Sequence, residues 1–210
     1  MSSSSSSTPF TLTTESTLKD YLQSNKQYVD KINHQHPSLF ELNGQGQAPH
    51  TLWVGCSDSR YNENCLNVVP GEVFTFKNIC NLIDTKDQVT RATLEFSINV
   101  LKVKKIIICG HTSCGGVLTS LSHKQLGETN SNLQEYLYKI DQLRDENTNE
   151  LNKFESIDDK AKKLAELNVL KQLQLLKNEQ TVIDAVNKGE LEIWGLLYNV
   201  DSGLLEVVKA

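Results

Sequence analysis

The sequence predicts an α/β domain built on a mostly parallel β-sheet of about four strands, extended by one antiparallel strand near the carboxyl end. Short apolar runs rich in β-branched residues alternate along the chain with longer segments in which apolar residues recur at helical spacing. The last of these runs is followed by a turn and a return strand. An alternation of strand and helix is typical of a parallel sheet with helices packed on its faces.

The individual elements follow from the same patterns. The predicted strands are 51–55, 73–76, 103–109, 191–200 and 204–208, with hairpin residues Asp201-Ser202-Gly203 before the last. The predicted helices are 15–35, 87–102, one opening at 115, 131–145, 157–176 and 181–188. We interpret the leucine stripe of 157–176 as a core-facing surface rather than a coiled coil. Residues 34–50 are predicted as a loop, and His111 is expected in the loop that leaves the third strand.

The chain is predicted to form a single domain, residues 15–210, preceded by a disordered tail at residues 1–14. The serine-rich tail lacks the apolar core of a signal peptide. Within the domain, residues 15–40 are expected to form an N-terminal helical arm that packs on the body or on a second subunit. Thr17, or an earlier residue such as Thr14, is expected to cap its helix.

Composition and charge argue against several classes of protein. The net charge of −5 and the lack of a basic stripe give no reason to expect a nucleic acid partner. The apolar runs are shorter than the roughly 18 residues that a membrane span needs, so no membrane partner is expected. Five cysteines, mostly in apolar strands, do not fit a secreted disulfide scaffold. We therefore expect a reducing, cytoplasmic compartment.

Residues that bind metal ions follow two of the predicted strands. Cys56 comes directly after the first strand, and His111 and Cys114 follow the third. Ligands bind beyond the carboxyl ends of parallel strands, where these side chains are expected to meet. Zinc prefers thiolate and imidazole ligands, and three protein ligands leave a position open for catalysis. Copper(I) also suits these ligands, and the spacing alone leaves open whether any metal binds.

The other cysteines are interpreted differently. Cys109 lies inside an apolar strand and is expected to be a core residue. Cys65 and Cys80 are expected not to bind metal, because no acidic or imidazole side chain flanks them. Asp58 and Arg60, in contrast, follow Cys56 so closely that a carboxylate and a guanidinium are expected near the same point.

Two motifs resemble the β-class carbonic anhydrases, and the fungal members in particular. They are Cys56-Ser57-Asp58-Ser59-Arg60 and Gly110-His111-Thr112-Ser113-Cys114-Gly115-Gly116. The intervening Pro70-Gly71-Glu72-Val73-Phe74 matches the same family, and Gly195-Leu196-Leu197-Tyr198-Asn199-Val200 is similar to the fungal members. The resemblance is strong over residues 47–120, and the two motifs in this order are highly specific.

The resemblance implies a zinc-dependent lyase that hydrates carbon dioxide reversibly to bicarbonate and a proton, by attack of zinc-bound hydroxide. It implies one Zn²⁺ per chain, held by Cys56, His111 and Cys114, with Asp58 and Arg60 as the catalytic pair. It also implies a homodimer or a higher homo-oligomer. Some family members have a closed state in which the aspartate occupies the open metal position, and we expect the open state here.

The resemblance further implies a substrate pocket. The implied pocket residues are Gln47, Phe74, Ile79, Phe96 and Gly115. Two positions depart from the common pattern. Phe96 stands where plant members have tyrosine, which removes a hydroxyl group from the pocket. Cys80 stands where alanine or another small residue is common.

Two other functions remain open from the sequence. One is a related lyase that hydrolyses carbonyl sulfide or carbon disulfide, and the intact pocket pattern disfavours it. The other is a zinc-binding or interaction protein without catalytic activity. The presence of both Asp58 and Arg60 argues against that second alternative.

Overall fold

The structure is a computed structural model that describes residues 9–122 and 131–209. Residues 1–8, which belong to the predicted tail, lie outside the described residues. The chain divides into two compact units, one ending at Gly46 and the other beginning at Gln47. Within the described residues, no helix is both long enough and apolar enough to cross a membrane.

The first unit contains the predicted N-terminal helix, α1 (Leu18–Gln35). Thr17 precedes its first turn, and the backbone N–H of Thr17 donates to the carboxylate of Asp20 at 2.7 Å. This is the reciprocal bond of a capping box, which satisfies backbone donors that the helix itself cannot pair. Thr17 rather than Thr14 is therefore the capping residue.

A second helix of this unit, α2 (Leu39–Gly44), was not predicted, because residues 34–50 were expected to form a loop. Its residue Phe40 packs edge-on against Tyr28 of α1, with ring centroids 6.4 Å apart. A six-residue helix is too short for a periodic pattern to be visible in the sequence. The contact between Tyr28 and Phe40 that packs α2 on α1 cannot be predicted from the local sequence.

The second unit is built on a five-stranded sheet with the order β2-β1-β3-β4-β5. The first four strands in this order run parallel, and β5 pairs antiparallel with β4. The predicted fold class is confirmed. The strands are β1 (Thr51–Cys56), β2 (Val73–Asn78), β3 (Lys105–His111), β4 (Glu192–Tyr198) and β5 (Leu205–Val207).

The third strand has the predicted length but lies two residues further along the chain, so that His111 is its last residue instead of a loop residue. Gly110 and His111 continue the pairing with β4, opposite Leu197 and Tyr198. The apolar pattern ends at Cys109, so no local signal in the sequence indicates that the strand continues to His111. A Cβ at Gly110 would lie only 2.9 Å from Val169 Cγ2, so the glycine allows a helix to pack closely over the end of β3.

Helices cover both faces of the sheet and agree largely with the predicted ones. They are α3 (Gln88–Glu95), α4 (Gly115–Ser122), α5 (Asn132–Glu146), α6 (Thr148–Leu151), α7 (Ile157–Leu176) and α8 (Gln180–Asn187). Short 3-10 helices follow β1 and β2, at Glu63–Leu66 and Ile79–Asn81. The predicted helix 87–102 is in fact α3 followed by a π-helical stretch, Phe96–Val100.

Side chains alternate across β1 and β3 and form two hydrophobic cores. The core that contains the site, called the site face below, includes Trp53, Tyr61, Cys80, Ile107, Cys109, Cys114, Leu137 and Leu164. The opposite core, called the aliphatic face, includes Leu52, Val54, Ile98, Ile106, Ile108, Val169, Leu176 and Val182. Helix α7 contributes buried residues to both cores, which confirms that its leucine stripe is a core surface.

Candidate metal centre

Three potential metal ligands meet where two neighbouring parallel strands end. Cys56 is the last residue of β1, His111 is the last residue of β3, and Cys114 directly precedes α4. All three are buried, and their ligand atoms lie within 4.8 Å of one another. The structure therefore brings the predicted ligand set together at the carboxyl edge of the sheet, as expected for a parallel arrangement.

The imidazole of His111 is oriented so that one nitrogen faces the thiols. Its Nδ1 lies 2.9 Å from the carbonyl oxygen of Thr112, and a carbonyl can only accept, so Nδ1 carries the proton. The side chain is fully buried, and Nε2 has no hydrogen-bond partner among the described groups. A buried nitrogen lone pair beside two thiols is costly without a partner, and a metal ion would satisfy it.

The two thiols also fit a divalent cation. A hydrogen bond with Cys114, together with burial, raises the pKa of the Cys56 thiol to about 12. Ligation requires the thiolate, so a cation has to supply the charge that compensates for burial. Two sulfurs and one imidazole nitrogen are ligands that zinc prefers, and such a set leaves one position open. The residues present therefore fit one zinc ion.

Asp58 and Arg60 form a bidentate ion pair in the loop after β1. Arg60 Nε donates to Asp58 Oδ1 at 2.9 Å, and Arg60 Nη2 donates to Asp58 Oδ2 at 2.7 Å. The hydrogen bond from Arg60 is the main reason that the pKa of the Asp58 carboxyl falls to about 2. Arg60 Nη2 also donates to the carbonyl of Ser113 at 2.9 Å. The guanidinium therefore links the loop after β1 to the loop that carries Cys114.

The carboxylate of Asp58 faces the ligand cluster while it is bound to Arg60. Its Oδ2 lies 3.8 Å from Nε2 of His111, and the side chain is only 16% exposed. A carboxylate at this distance can accept a hydrogen bond from a group held between the three ligands. With both oxygens bound by Arg60, it is also kept in one orientation.

Tyr61 supports the site, although the sequence did not point to it. Its buried hydroxyl accepts from the backbone N–H of Cys56 at 2.6 Å and donates to the carbonyl of Cys109 at 2.8 Å. Its ring lies 4.8 Å from the imidazole of His111 and stacks on Tyr198 at 5.3 Å. Burial raises the pKa of Tyr61, which keeps the hydroxyl neutral. The one feature of the sequence that could have indicated a role for Tyr61 is its position directly after Arg60.

Cys80 was expected not to be a ligand, and it lies outside the three-residue cluster. It is nevertheless close to two of the ligands. Its backbone N–H donates to Cys56 Sγ at 3.3 Å, and its Sγ lies 3.8 Å from Cys114 Sγ. The sequence could not reveal this proximity, because Cys80 lies on the 3-10 helix after β2 and the ligands lie on other elements.

Of the residues implied for a substrate pocket, Ile79 and Gly115 lie at the carboxyl edge of the sheet, while Phe74 lies near the amino end of β2 and packs against the aliphatic face. The rings of Phe74 and Phe96 pack with centroids 5.8 Å apart, and Ile79 directly follows β2 with a partly exposed side chain. A Cβ added to Gly115 would meet nothing within 4 Å, so the space beside it is open. Gln47 is exposed in the loop before β1. Contact of these five residues with substrate remains a prediction.

Comparison with known proteins gives consistent results. The protein-family profile described as carbonic anhydrase matches residues 51–205. A carbonic anhydrase of Candida albicans is 47% identical over 203 residues, which covers 96% of this chain and 71% of that protein. A carbonic anhydrase of Saccharomyces cerevisiae is 47% identical over 213 residues, which covers 100% of this chain and 96% of that protein.

Solved structures agree at the level of the fold. A β-carbonic anhydrase of Aspergillus fumigatus superposes with a TM-score of 0.85 at 40% identity, covering 91% of this chain and 90% of that one. A β-carbonic anhydrase of Sordaria macrospora, described as tetrameric, has a TM-score of 0.85 at 33% identity. That superposition covers 90% of this chain and 95% of the other.

Proposed function

The chain belongs to the β-class carbonic anhydrase family, and on this premise we propose how its own residues serve the reversible hydration of carbon dioxide to bicarbonate and a proton. The chain is a zinc-dependent lyase. The main support for assigning the metal ligands is the buried Nε2 of His111. This nitrogen lies beside two buried thiols and has no hydrogen-bond partner among the described groups. Cys56, His111 and Cys114 would together hold one Zn²⁺ per chain.

When bound, zinc acidifies a water molecule, so that hydroxide is available near neutral pH. Two thiolates cancel the formal charge of the dication, so they leave it a weaker Lewis acid than three neutral imidazoles would. The protein around the metal therefore has to contribute more to the reaction. In this chain, that contribution falls to Asp58 and Arg60.

Asp58 would accept a hydrogen bond from the attacking hydroxide and so orient it toward carbon dioxide. The low pKa of Asp58, about 2, keeps the carboxylate ionised and able to accept throughout the neutral range. Arg60 fixes the carboxylate through two parallel hydrogen bonds. Because these bonds fix the orientation of the carboxylate, Arg60 would also keep Asp58 away from the open metal position. We therefore propose the open state as the working state of the enzyme.

The substrate is small and apolar, which suits a pocket with apolar walls. Phe74, Ile79 and Phe96 would provide these walls, and the open space beside Gly115 would admit the molecule. Gln47 would donate a hydrogen bond to a substrate oxygen. Because Phe96 has no hydroxyl, the pocket lacks a hydrogen bond that a tyrosine at this position could make.

We propose that the chain forms a homodimer or a higher homo-oligomer. Support comes from apolar side chains of α1 that face solvent, since Leu18, Tyr21 and Leu22 are 75%, 53% and 58% exposed. Exposed apolar residues on one helix are typical of an interaction surface. Removal of residues 1–40 should lower the sedimentation coefficient or the melting temperature. A full-length chain that sediments as an active monomer at assay concentration would contradict the proposal.

We also propose a cytoplasmic location. The support is indirect and comes from the cysteines, which are all free in the structure. Two of the assigned zinc ligands are thiols, which a reducing compartment preserves. Fluorescence microscopy of a tagged full-length chain in a fungal cell would test the location, and accumulation in an organelle would contradict it.

Stopped-flow measurement of carbon dioxide hydration with a pH indicator tests the activity directly. The zinc-loaded protein should hydrate carbon dioxide, lose activity when a chelator removes the metal, and recover when zinc is returned. A protein that binds one zinc per chain but does not accelerate hydration would be a non-catalytic relative. The same preparation should be assayed with carbonyl sulfide and carbon disulfide, which separates the related lyase activity from this one.

A further inference from the structure

A third buried thiol lies beside the two assigned to the metal, and the function proposed above does not use it. The side chain of Cys80 has no exposed surface, and its Sγ lies 3.8 Å from Sγ of Cys114. A disulfide requires the two sulfurs to approach to about 2.05 Å. A further approach of roughly 1.8 Å would join the two sulfurs, so the two thiols are close neighbours in the folded chain.

Hydrogen bonds to both the N–H and the carbonyl of Cys80 hold its backbone in this position. Its N–H donates to Cys56 Sγ at 3.3 Å, and its carbonyl accepts from Asn168 Nδ2 at 2.8 Å. Its backbone has φ 62° and ψ 23°, a left-handed conformation that costs energy for a residue other than glycine. These two contacts keep Cys80 beside Cys114 despite its strained backbone.

A glycine of α4 leaves space for the thiol of Cys80. A Cβ at Gly116 would lie 2.3 Å from Cys80 Sγ, so any larger residue there would displace the sulfur. Leu137 closes the other side of the same space, at 2.9 Å from that Cβ position. The sulfur of Cys80 is thus confined in a small space beside Cys114.

We propose that Cys80 and Cys114 are a dithiol modification site that a hydroperoxide oxidises to a disulfide, with release of the metal. The sulfur of Cys114 attacks the peroxide, so that an S–O bond forms, the O–O bond breaks and an alcohol or water leaves. The thiol of Cys80 then attacks the Cys114 sulfur, the S–O bond breaks, an S–S bond forms and water leaves. The two thiols are oxidised by two electrons, and the peroxide is reduced.

The consequence for the enzyme rests on the proposed function, in which Cys114 is a metal ligand. A sulfur in a disulfide is no longer a thiolate and no longer holds the cation. One oxidation event therefore removes one zinc ligand and switches the site off, and a thiol reductant with added zinc restores it. Cys80 makes the loss of zinc reversible. Its thiol converts the sulfenic acid of Cys114 to a disulfide, which prevents further oxidation to sulfinic and sulfonic acids that thiol reductants cannot reverse.

The test uses the full-length zinc-loaded chain and hydrogen peroxide. Oxidation should lower the intact mass by two hydrogens, release one zinc per disulfide to a coloured chelator, and give a non-reduced peptide that joins Cys80 to Cys114. Dithiothreitol with zinc should restore mass, metal content and activity. A peptide that instead joins Cys56 to Cys114, or zinc release without a disulfide, would overturn the proposal.

Matched variants separate the role of this thiol from general sensitivity to peroxide. Cys80→Ala and Cys80→Ser should both keep one zinc per chain, form no such disulfide and recover poorly after oxidation. The fraction of zinc binding that dithiothreitol restores should be at least about tenfold lower, because no neighbouring thiol captures the sulfenic acid before it oxidises further. Cys65→Ser should behave as the wild type. Equal recovery of zinc binding in wild type and both Cys80 variants would overturn the inference, while unchanged carbon dioxide hydration before oxidation would leave the proposed function intact.

Discussion

The two faces of the central sheet differ in the chemical groups that they bury. The aliphatic face is filled by side chains such as Leu52, Val54 and Ile108, whose contacts are non-directional. On the site face, the corresponding space holds sulfur, phenol and imidazole groups, among them Tyr61 and His111. Around the potential metal ligands, atoms of the site face are held at specific distances by hydrogen bonds, while aliphatic side chains on both faces are held by packing.

This difference determines what a substitution is expected to change. Apolar packing contributes to stability roughly in proportion to buried area and tolerates small changes of shape. A directed hydrogen bond in a buried site fails when one partner is removed, because the other partner is left unsatisfied. We therefore expect changes on the site face to affect metal binding and turnover, and changes on the aliphatic face to affect stability alone.

The largest effect is expected for Cys114→Ser, which replaces one thiolate ligand with a hydroxyl that zinc binds poorly. Zinc content should fall from one per chain to nearly none, and hydration of carbon dioxide should be lost. Metal analysis of the purified protein measures the first result, and stopped-flow assay measures the second. Cys65→Ser is the matched control and should keep both. Unchanged zinc in Cys114→Ser would show that the ligand set is wrong.

A smaller but still large effect is expected for Arg60→Ala. Zinc should remain bound, while turnover should fall roughly 100-fold, because Asp58 loses its orientation and is free to occupy the open metal position. Asp58→Asn should also keep zinc and lose most activity, since an amide presents a different pattern of donors and acceptors. Rates for both variants should be measured from neutral to alkaline pH. Wild-type rates for Arg60→Ala throughout this range would disprove both the pairing role and the closing of the site.

Tyr61→Phe should have an intermediate effect on the site face. The change keeps the ring beside His111 but leaves the N–H of Cys56 and the carbonyl of Cys109 without their partner. Unfolding free energy should fall by about 1–3 kcal/mol, and zinc affinity should fall by roughly tenfold. Chemical denaturation and competition with a chelator measure the two quantities. Tyr138→Phe, at an exposed position on α5, is the control, and equal zinc affinity in both variants would remove the supporting role of Tyr61.

The smallest effect on turnover is expected from the aliphatic face. Ile106→Val removes one buried methyl group and should lower the unfolding free energy by about 0.5–1.5 kcal/mol. Zinc content and turnover per folded molecule should stay at the wild-type values. A drop in zinc affinity comparable to that of Tyr61→Phe would mean that the two faces are coupled, and the contrast between them would not hold.

The sequence predicted the sheet and the clustering of three potential metal ligands, for a local reason. Apolar runs of β-branched residues predict strands wherever both faces are buried, and β1 and β3 are buried in this way. The ligands directly follow or end these strands, so the parallel order alone places Cys56 near His111. The pairing of Asp58 with Arg60 was equally accessible, because only one residue separates them.

Other features depended on contacts between distant parts of the chain. The pattern for β3 stopped at a glycine, while pairing with β4 carried the strand on to His111. Helix α2 was too short to show a period, and the helix after residue 87 changes to a π-helical stretch at Phe96–Val100. None of these has a local signature, because each depends on which neighbour is available to pair or pack.

The sequence by itself determined the class of the fold, the ligand types and the ion pair, because strand patterns and closely spaced motifs are properties of short segments. Only the tertiary structure decided that Tyr61 braces the ends of two strands and that the thiol of Cys80 lies beside Cys114. Those distances are set by how the sheet, the 3-10 helix after β2 and α7 pack against one another. Packing of this kind depends on shape over the whole core, which no single segment of the sequence encodes.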